Sequence, residues 1–310
     1  MLTILKSTEF GLETINEFRD GSWVNVIDPS PEEIARLHQE LGVPQDFITY
    51  PLDIDERART EKEDNVLLIV LRIPYFQGEK ADIPYITIPL GIVIIDKLII
   101  TICKIDNDII QDFAVGRVRD LSTAKKNRFI LQILLKTASS YLQYLRNINK
   151  IVDVLEDKLQ LSMRNEELLE LLKYQKSLVY FSTALKSNEL MMERLQRSQL
   201  FQMYPDDADL LEDVIIENRQ AIEMTNIANN ILSQMMDAFA SIISNNLNVV
   251  MKFLTSVTIV LMLPTLVASL YGMNVKLPLQ DSPHAFLITM LVSFGLSFLV
   301  ALIFVQRDWF

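Results

Sequence analysis

The sequence predicts an α+β membrane protein with an N-terminal α/β cytoplasmic domain, a long helical stalk and two C-terminal transmembrane helices. The first observation behind this prediction is the charge distribution: the chain of 310 residues has a net charge of −11, yet the charges after Lys252 cancel. The second is a pair of long uncharged apolar runs that follow Lys252. An acidic, water-soluble part is therefore predicted before Lys252 and a membrane-embedded part after it.

Residues 1–120 mix strand and helix patterns and predict the cytoplasmic α/β domain. Trp23–Ile27 is apolar and contains β-branched residues, which favours a strand. Ser30 is a suitable N-cap for a helix that begins at the next residue, and Gly42 is placed to end that helix. Two further strands and a hairpin turn are predicted at Val66–Ile73, Ile86–Ile95 and Asp96-Lys97.

The same domain lacks the residue patterns of common enzymes. It has no glycine-rich phosphate loop, no cluster of cysteine and histidine, and no nucleophile paired with a base. The single cysteine, Cys103, excludes an internal disulfide framework. We therefore expect no enzymatic activity. The N-terminal segment shows no signal-peptide pattern, so we expect this part of the chain to stay in the cytoplasm.

Long helices are predicted beyond the α/β domain, because no glycine occurs between Gly116 and Gly272. Residues 121–204 are rich in Glu, Lys, Leu and Gln and predict a pair of long helices. Pro205 predicts a break between this pair and the next helix. Residues 205–252 then form the stalk part of a helix that continues into the membrane.

Two apolar segments are long enough to cross a bilayer, which takes about 20 helical residues. They are residues 253–271 and 285–305. A buried helix in a soluble core is the alternative, but such helices rarely run so far without a charge. Two crossings place both termini on the cytoplasmic side, with residues 272–284 as an extracellular loop and 306–310 as a cytoplasmic tail.

A polar stripe follows one face of the first membrane helix. Steps of three and four residues stay on one face of a helix, and a lipid-facing stripe would consist of Leu, Ile and Phe. Here the stripe is Ser269, Thr265, Met262, Thr258, Thr255, Met251 and Asn248, and it continues through Ser244, Ser241, Asp237, Gln234 and Asn230. The pattern predicts either a helix–helix interface built on small residues or the lining of a pore. A pore requires several copies of the chain, because two spans cannot enclose a channel.

Carboxylates lie on or near the same stripe further from the membrane. In an oligomer, Asp237, Glu223 and Asp213 would form rings of negative charge. Hard divalent cations prefer oxygen ligands, and Mg²⁺ is reluctant to shed its water. Charge rings attract cations, and apolar constrictions such as Met251 and Met262 can gate a pore by dewetting. The pattern therefore favours a path for divalent cations.

At the end of the first apolar segment, Tyr271-Gly272-Met273-Asn274 resembles the signature of the CorA magnesium transporters. The tripeptide alone is a weak signal, but its place after a tyrosine and between two C-terminal spans makes it specific. The close match covers residues 237–278. The resemblance assigns Thr265, Met262, Leu254, Met251 and Asn248 to pore-lining positions, Asp237 to the stalk aspartate of a cytoplasmic metal site, and Asp213 to a further acidic position.

The resemblance implies a funnel-shaped homopentamer in the inner or plasma membrane, with a central pore lined by the first span of each subunit. It implies that the Asn274 ring, together with the Gly272 backbone, forms the outer selectivity filter for hydrated Mg²⁺. It also implies that intracellular Mg²⁺, bound between subunits, closes the channel. Mg²⁺ is then both cargo and regulatory ligand, with cobalt or nickel as further substrates. The expected partners are the lipid bilayer, other copies of the chain and divalent cations, and no nucleic acid.

Two departures from the family pattern bear on this function. Lys276 adds a positive charge beside the filter, and one lysine per subunit should weaken the attraction of cations. The acidic pair that partners the stalk aspartate in the family falls at Thr49-Tyr50 in this sequence. Asp53 and Asp55 lie nearby and are candidates to replace that pair.

Two other functions remain open at this point. One is transport of zinc or another transition metal, as in the sister branch of the superfamily. That branch usually replaces the methionine of the Gly-Met-Asn tripeptide, whereas this sequence keeps it as Met273. The other is a membrane-anchored sensor that binds divalent ions without conducting them. Flux measurements separate the three functions, because a sensor predicts cation-dependent conformational change with no flux.

Overall fold

The structure is a computed structural model that describes residues 1–9, 11–162, 165–197, 205–275, 277–278, 282–307 and 309. The chain divides into two compact units, Met1–Met236 and Asp237–Phe310. The predicted departure at Lys276 lies outside the described residues.

The first unit is built on a mixed sheet, which has seven strands within the part of the chain that the structure describes. The strands are β1 (Leu2–Thr8), β2 (Gly11–Ile15), β3 (Ser22–Ile27), β4 (Arg59–Glu63), β5 (Val66–Phe76), β6 (Tyr85–Ile95) and β7 (Leu98–Cys103). Their order across the sheet is β2-β1-β3-β7-β6-β5-β4. The central pair β3–β7 is parallel, whereas the other pairs are antiparallel.

The predicted hairpin is confirmed, since β6 and β7 pair in antiparallel register with Ile95 opposite Leu98. Asp96 adopts φ 45°, the left-handed conformation that tight hairpin turns need and that aspartate tolerates. The neighbouring strand β5 is longer than predicted, because it continues through Pro74 to Phe76. Pro74 lies close to the end of its strand, where the missing N–H costs little.

Seven helices complete the described residues: α1 (Pro31–Leu41), α2 (Gln45–Thr49), α3 (Asp108–Ala114), α4 (Lys126–Ser162), α5 (Asn165–Arg197), α6 (Pro205–Tyr271) and α7 (Ala285–Gln306). The caps of α1 are those predicted. The Ser30 hydroxyl accepts from the Glu33 N–H while the Glu33 carboxylate accepts from the Ser30 N–H, and Gly42 ends the helix at φ 69°. A short 3₁₀ helix, Tyr50–Leu52, follows α2.

The sheet is covered on both faces, which explains why its central strands are mostly apolar. Alternate residues of β5 enter different cores: Ile69 and Leu71 belong to one cluster, and Leu68 and Val70 to the other. The helical members of the first cluster come from α3, α4, α5 and the beginning of α6. Examples are Phe113, Phe129, Met191 and Leu211. The second takes Leu37 and Phe47 from α1 and α2.

Within the described residues, two helices are long and apolar enough to span a membrane, and both end in the second unit. The first is the C-terminal part of α6, and the second is α7. Helix α6 is 67 residues long and includes Pro264 in its interior. At 1.5 Å per residue a helix of this length measures about 100 Å, and its residues belong to both units.

Candidate ion pathway along helix α6

The polar stripe lies on the open face of α6. Each of its members in the apolar unit is exposed in the single chain, including Met251 at 54% and Met262 at 63%. The exposed positions at steps of three and four are Asn248, Met251, Thr255, Thr258, Met262, Thr265, Ser269 and Gly272. Leu254, beside the stripe, is exposed as well. The stripe is therefore available to other copies of the chain.

The opposite face of α6 is the shielded one. Residues with reduced exposure recur there at the same spacing: Ser256, Val260, Leu263 and Val267. They are offset by two residues from the stripe, which is about 200° around a helix. A cavity of about 530 Å³ is lined jointly by α6, through Pro264 and Ala268, and by α7, through Thr289 and Ser293. Helix α7 thus lies on one side of α6 and the polar stripe on another.

Two threonines of the stripe, Thr258 and Thr265, use their hydroxyl protons within the helix. Thr258 Oγ1 donates to the Leu254 carbonyl at 2.8 Å, and Thr265 Oγ1 donates to the Leu261 carbonyl at 3.2 Å. Each hydroxyl then has only acceptor capacity for an external partner. The waters around a Mg²⁺ ion are strong donors, so a ring of such oxygens matches a hydrated cation.

The Gly-Met-Asn motif forms a turn that ends α6. The Gly272 N–H donates to the Ala268 carbonyl at 2.9 Å, and the Met273 N–H donates to the Leu270 carbonyl at 3.3 Å. A Cβ on Gly272 would lie 3.3 Å from the Ala268 carbonyl oxygen, which is a tight contact. Asn274 is exposed just beyond this turn. The motif therefore lies at the end of the stripe, with its amide side chain open to solvent.

The loop after the motif is fastened back to the helix. The Tyr271 hydroxyl donates to the Pro278 carbonyl at 3.3 Å. Sequence reasoning noted Tyr271 as part of the motif but did not predict this contact. No sequence pattern predicts a hydrogen bond between a tyrosine and the carbonyl of a proline seven residues later.

The candidate regulatory carboxylates are exposed but not gathered. Asp213, Asp237, Asp53 and Asp55 all lie at the surface of the chain. Among the described residues, no group of three or more His, Cys, Asp or Glu side chains is placed to hold a metal ion. Asp53 and Asp55 share one loop, in which the Asp55 N–H donates to Asp53 Oδ1 at 3.1 Å.

The position of the family's acidic pair is electrostatically different in this chain. Tyr50 lies under the guanidinium of Arg59, whose Cζ is 4.6 Å from the ring centroid. Thr49 Oγ1 donates to the Asp46 carbonyl within α2. Neither side chain carries a carboxylate, so the Thr49-Tyr50 pair offers no anionic ligand, and the guanidinium of Arg59 adds a positive charge beside it. Sequence reasoning found the substitution but not the arginine, which comes from β4.

Comparison with known proteins agrees with this architecture. Residues 19–307 match the model of a protein family described as "CorA-like Mg2+ transporter protein". A cobalt/magnesium transport protein CorA from Methanocaldococcus jannaschii is 30% identical over 297 residues, covering 93% of this chain and 90% of the relative. A magnesium transport protein CorA from Helicobacter pylori is 23% identical, with the same coverage of 93% and 90%.

Among solved structures, the complete CorA magnesium transporter from Methanocaldococcus jannaschii superposes with a TM-score of 0.87 at 25% identity. The match covers 100% of this chain and 99% of that chain, so it includes both the soluble unit and the apolar helices. The match in sequence and the match in fold therefore extend over nearly the whole length. This chain is a membrane protein and belongs to the family of CorA-like Mg²⁺ transporter proteins.

Proposed function

We propose that this chain is a magnesium channel, in which several copies surround an axis and line a pore with the polar stripe of α6. The observation that carries the proposal is the exposed row of hydroxyl, amide and thioether side chains that leads to Gly272-Met273-Asn274. A membrane helix with such a face requires protein or water beside it rather than lipid. A pentamer, as the family resemblance implies, is the proposed oligomer.

The proposed filter is the ring of Asn274 side chains with the Gly272 backbone, at the extracellular end of the pore. Amide and carbonyl oxygens can hold a hydrated Mg²⁺ without stripping its water. The proposed gate is formed by the apolar rings of Met251, Leu254 and Met262, which exclude water when they close. Transport needs no chemical coupling, because a membrane potential of about 100 mV supplies about 4.6 kcal/mol for a divalent ion.

The proposed regulation uses cytoplasmic Mg²⁺. The exposed carboxylates Asp237 and Asp213 on α6, together with Asp53 and Asp55, would take Mg²⁺ between neighbouring subunits and hold the channel closed. Support comes from their exposure at the surface of the chain. Ligands from two chains would supply the oxygen atoms that one chain does not gather. Both termini are proposed to lie in the cytoplasm of the inner or plasma membrane.

The experiment is Mg²⁺ flux into proteoliposomes that contain the full-length protein, under an imposed potential. Asn274→Ala is compared with Asn245→Ala, because Asn245 is an asparagine of α6 that is not among the residues of the stripe. We expect flux in the wild type and in Asn245→Ala, and at least about a tenfold loss in Asn274→Ala, since the filter interaction is charge-assisted.

The same vesicles distinguish the other functions. Zn²⁺ flux without Mg²⁺ flux would assign the chain to transition-metal transport. No flux of either ion from a well-folded oligomer, with a cation-dependent conformational change, would make it a sensor. Equal losses in Asn274→Ala and Asn245→Ala would remove the proposed filter from the pathway.

A further inference from the structure

The loop that carries Asp53 and Asp55 is anchored to the sheet at its beginning. Pro51, in the 3₁₀ helix just before the loop, is buried against β6 at Gly91. A Cβ on Gly91 would lie 2.2 Å from Pro51 Cγ and 2.8 Å from Pro51 Cβ. Real atoms do not approach so closely, so only glycine at position 91 lets this segment lie flat on the sheet.

Arg72 anchors the rest of the same loop. Its guanidinium has five N–H donors, and the structure shows five hydrogen bonds from it. Nη1 donates to the Ile54 carbonyl at 2.5 Å and to the Glu56 carbonyl at 2.9 Å. Nη2 donates to the Thr87 carbonyl at 2.6 Å and to Thr87 Oγ1 at 2.8 Å, and Nε to Thr87 Oγ1 at 3.3 Å. One side chain therefore joins the loop to strand β6.

The donors of Arg72 bind carbonyls and a hydroxyl rather than the carboxylates of Asp53 and Asp55. Burial lowers the pKa of Arg72 from its usual value, and the nearby charges of Asp55 and Glu56 act in the opposite direction. Asp53 and Asp55 remain exposed on the outer side of the loop. The arginine thus fixes the backbone of the loop without occupying its acidic groups.

The backbone of Arg72 is held by the helices. Strand β4 begins at Arg59, which pairs with Val70 of β5. Arg72 is two residues further along β5 and therefore has no partner in β4. Asn188 of α5 takes the vacant place: the Arg72 N–H donates to Asn188 Oδ1 at 2.9 Å, and Asn188 Nδ2 donates to the Arg72 carbonyl at 2.8 Å. The Tyr141 hydroxyl of α4 donates to the same carbonyl at 3.0 Å.

Helix α5 in turn is bonded to α6 next to Asn188. Glu189 forms an ion pair with Arg219 of α6 at 3.2 Å. Asn218, also on α6, is buried and donates to the Leu185 carbonyl of α5 at 3.4 Å. A contiguous set of polar contacts therefore runs from the loop carbonyls through Arg72 and Asn188 to the helix that carries the stripe.

We propose that Arg72 is a positioning residue for cation sensing, which fixes the Asp53–Asp55 loop and joins it through Asn188 to α5 and α6. The inference rests on the proposed regulation by cytoplasmic Mg²⁺ and names the residue that transmits it. Mg²⁺ at the loop can shift the equilibrium of α6 only if the loop moves together with the helices. Without Arg72, the carboxylates keep their chemistry but lose their fixed position.

The test measures the internal Mg²⁺ concentration that halves the flux through the full-length protein in proteoliposomes. Arg72→Met removes the donors and keeps an apolar stem, whereas Thr87→Val removes only the hydroxyl acceptor and keeps the loop contacts. We expect Arg72→Met to raise the half-closing concentration about tenfold, as loss of charge-assisted bonds would. Flux at the lowest internal Mg²⁺ stays at the wild-type level, and Thr87→Val changes the half-closing concentration less than about twofold.

Gly91→Ala is the second variant, because it displaces Pro51 and the loop while Arg72 stays intact. We expect it to raise the half-closing concentration in the same direction. It also carries the test if Arg72→Met fails to assemble. The Mg²⁺-induced rise in Tm, which needs no conduction, is measured in parallel and should shrink in both variants but not in Thr87→Val.

The outcomes separate this inference from the proposed function. A wild type that conducts and closes, with closure weakened by Asp53→Asn or Asp55→Asn but unchanged in Arg72→Met and Gly91→Ala, overturns the role of Arg72 alone. A wild type that conducts without closing and shows no Mg²⁺-induced rise in Tm overturns the proposed regulation and the role of Arg72 together, and leaves the proposed channel standing. A weakened closure in Arg72→Met with unchanged flux at low Mg²⁺ supports the inference, since general damage would lower both.

Discussion

The hydroxyl of Tyr271 donates a hydrogen bond to the carbonyl of Pro278 over 3.3 Å. The bond joins the last residue of α6 to the segment after Gly272-Met273-Asn274, the proposed filter. Gly272, Met273 and Asn274 are therefore held between the helix end and a fastened loop. A filter needs such support, because its oxygen atoms select an ion only while their positions are maintained.

Tyr271→Phe tests this support by removing one hydroxyl and keeping the ring. The lost hydrogen bond is worth about 1 kcal/mol, so we expect Mg²⁺ flux to fall about fivefold in proteoliposomes. Tyr180→Phe, at an exposed position on α5, is the matched control and should conduct as the wild type does. Wild-type flux in Tyr271→Phe would show that the loop needs no fastening.

A cysteine placed on the stripe should be reached from water, whereas one on the shielded face should not. We expect a charged thiosulfonate reagent to block Mg²⁺ flux in Thr258→Cys and to leave flux unchanged in Val260→Cys. The two positions lie about 200° apart on α6. The background is low because the single native cysteine, Cys103, is buried. Equal block at both positions would argue against a pore on the stripe side.

The labelling rate of Cys103 reports on unfolding of the first unit, Met1–Met236. Burial raises the pKa of its thiol to about 11, and its side chain donates to the Pro89 carbonyl at 3.4 Å. The reactive thiolate is therefore scarce at pH 8 in the folded protein. We expect maleimide labelling in detergent to be at least about a hundredfold slower than in denaturant. Fast labelling of the folded protein would contradict the burial of Cys103.

The same group makes stability depend on alkaline pH. A raised pKa in the folded state means that the unfolded chain loses its thiol proton first. The folded state therefore loses relative stability as pH rises from the ordinary thiol range near 9 towards about 11. Cys103→Ala should show a smaller loss of stability over this window, as followed by guanidinium unfolding.

Asp112 should stabilise the protein at neutral pH and lose that effect in acid. A hydrogen bond from Lys136, with a second from Arg117, lowers the pKa of its carboxyl below the usual value. The stabilisation is present above the ordinary carboxyl pKa and disappears as pH falls through the lowered one. Since Lys136 is 38% and Arg117 76% exposed, water screens the pair and we expect Asp112→Asn to cost about 1 kcal/mol at pH 7.

The measurement is guanidinium unfolding of both proteins between pH 7 and pH 3. The difference between wild type and Asp112→Asn should decrease towards the acid end, as the carboxyl begins to be protonated. Asp153→Asn, an exposed position on α4, serves as control and should change stability by less than about 0.5 kcal/mol. A difference that stays constant with pH would show that the carboxylate acts through packing alone.

Local signals in the sequence predicted much of the cytoplasmic fold. The cap at Ser30 and the turn at Asp96 each depend on residues close in the chain, and the structure confirms both. The predicted break before α6 falls on residues 198–204, outside the described residues. The strand order could not be predicted, because pairing of β3 with β7 joins segments far apart in sequence. The parallel direction of these two strands is also not indicated by any local sequence pattern.

The candidate site divides in the same way. The stripe on α6 is periodic, so its residues were found by spacing, and the structure places them on one exposed face. Their roles in conduction stay predictions. The contacts of Arg72 with the Ile54 carbonyl and Asn188 were not predicted, because each partner is a backbone group or an amide brought together by tertiary folding.

The replacement of a strand by Asn188 also affects the newly made chain on the ribosome. The edge of β5 at Arg72 has open backbone groups until Asn188 arrives, and that residue comes 116 positions later. At about 5–20 residues per second, synthesis of this stretch takes about 6–23 s. During that interval the uncovered edge can pair with a neighbouring nascent chain. Slow translation before α5 therefore prolongs the time in which the edge of β5 at Arg72 is open to aggregation. Docking of α5 then closes this edge.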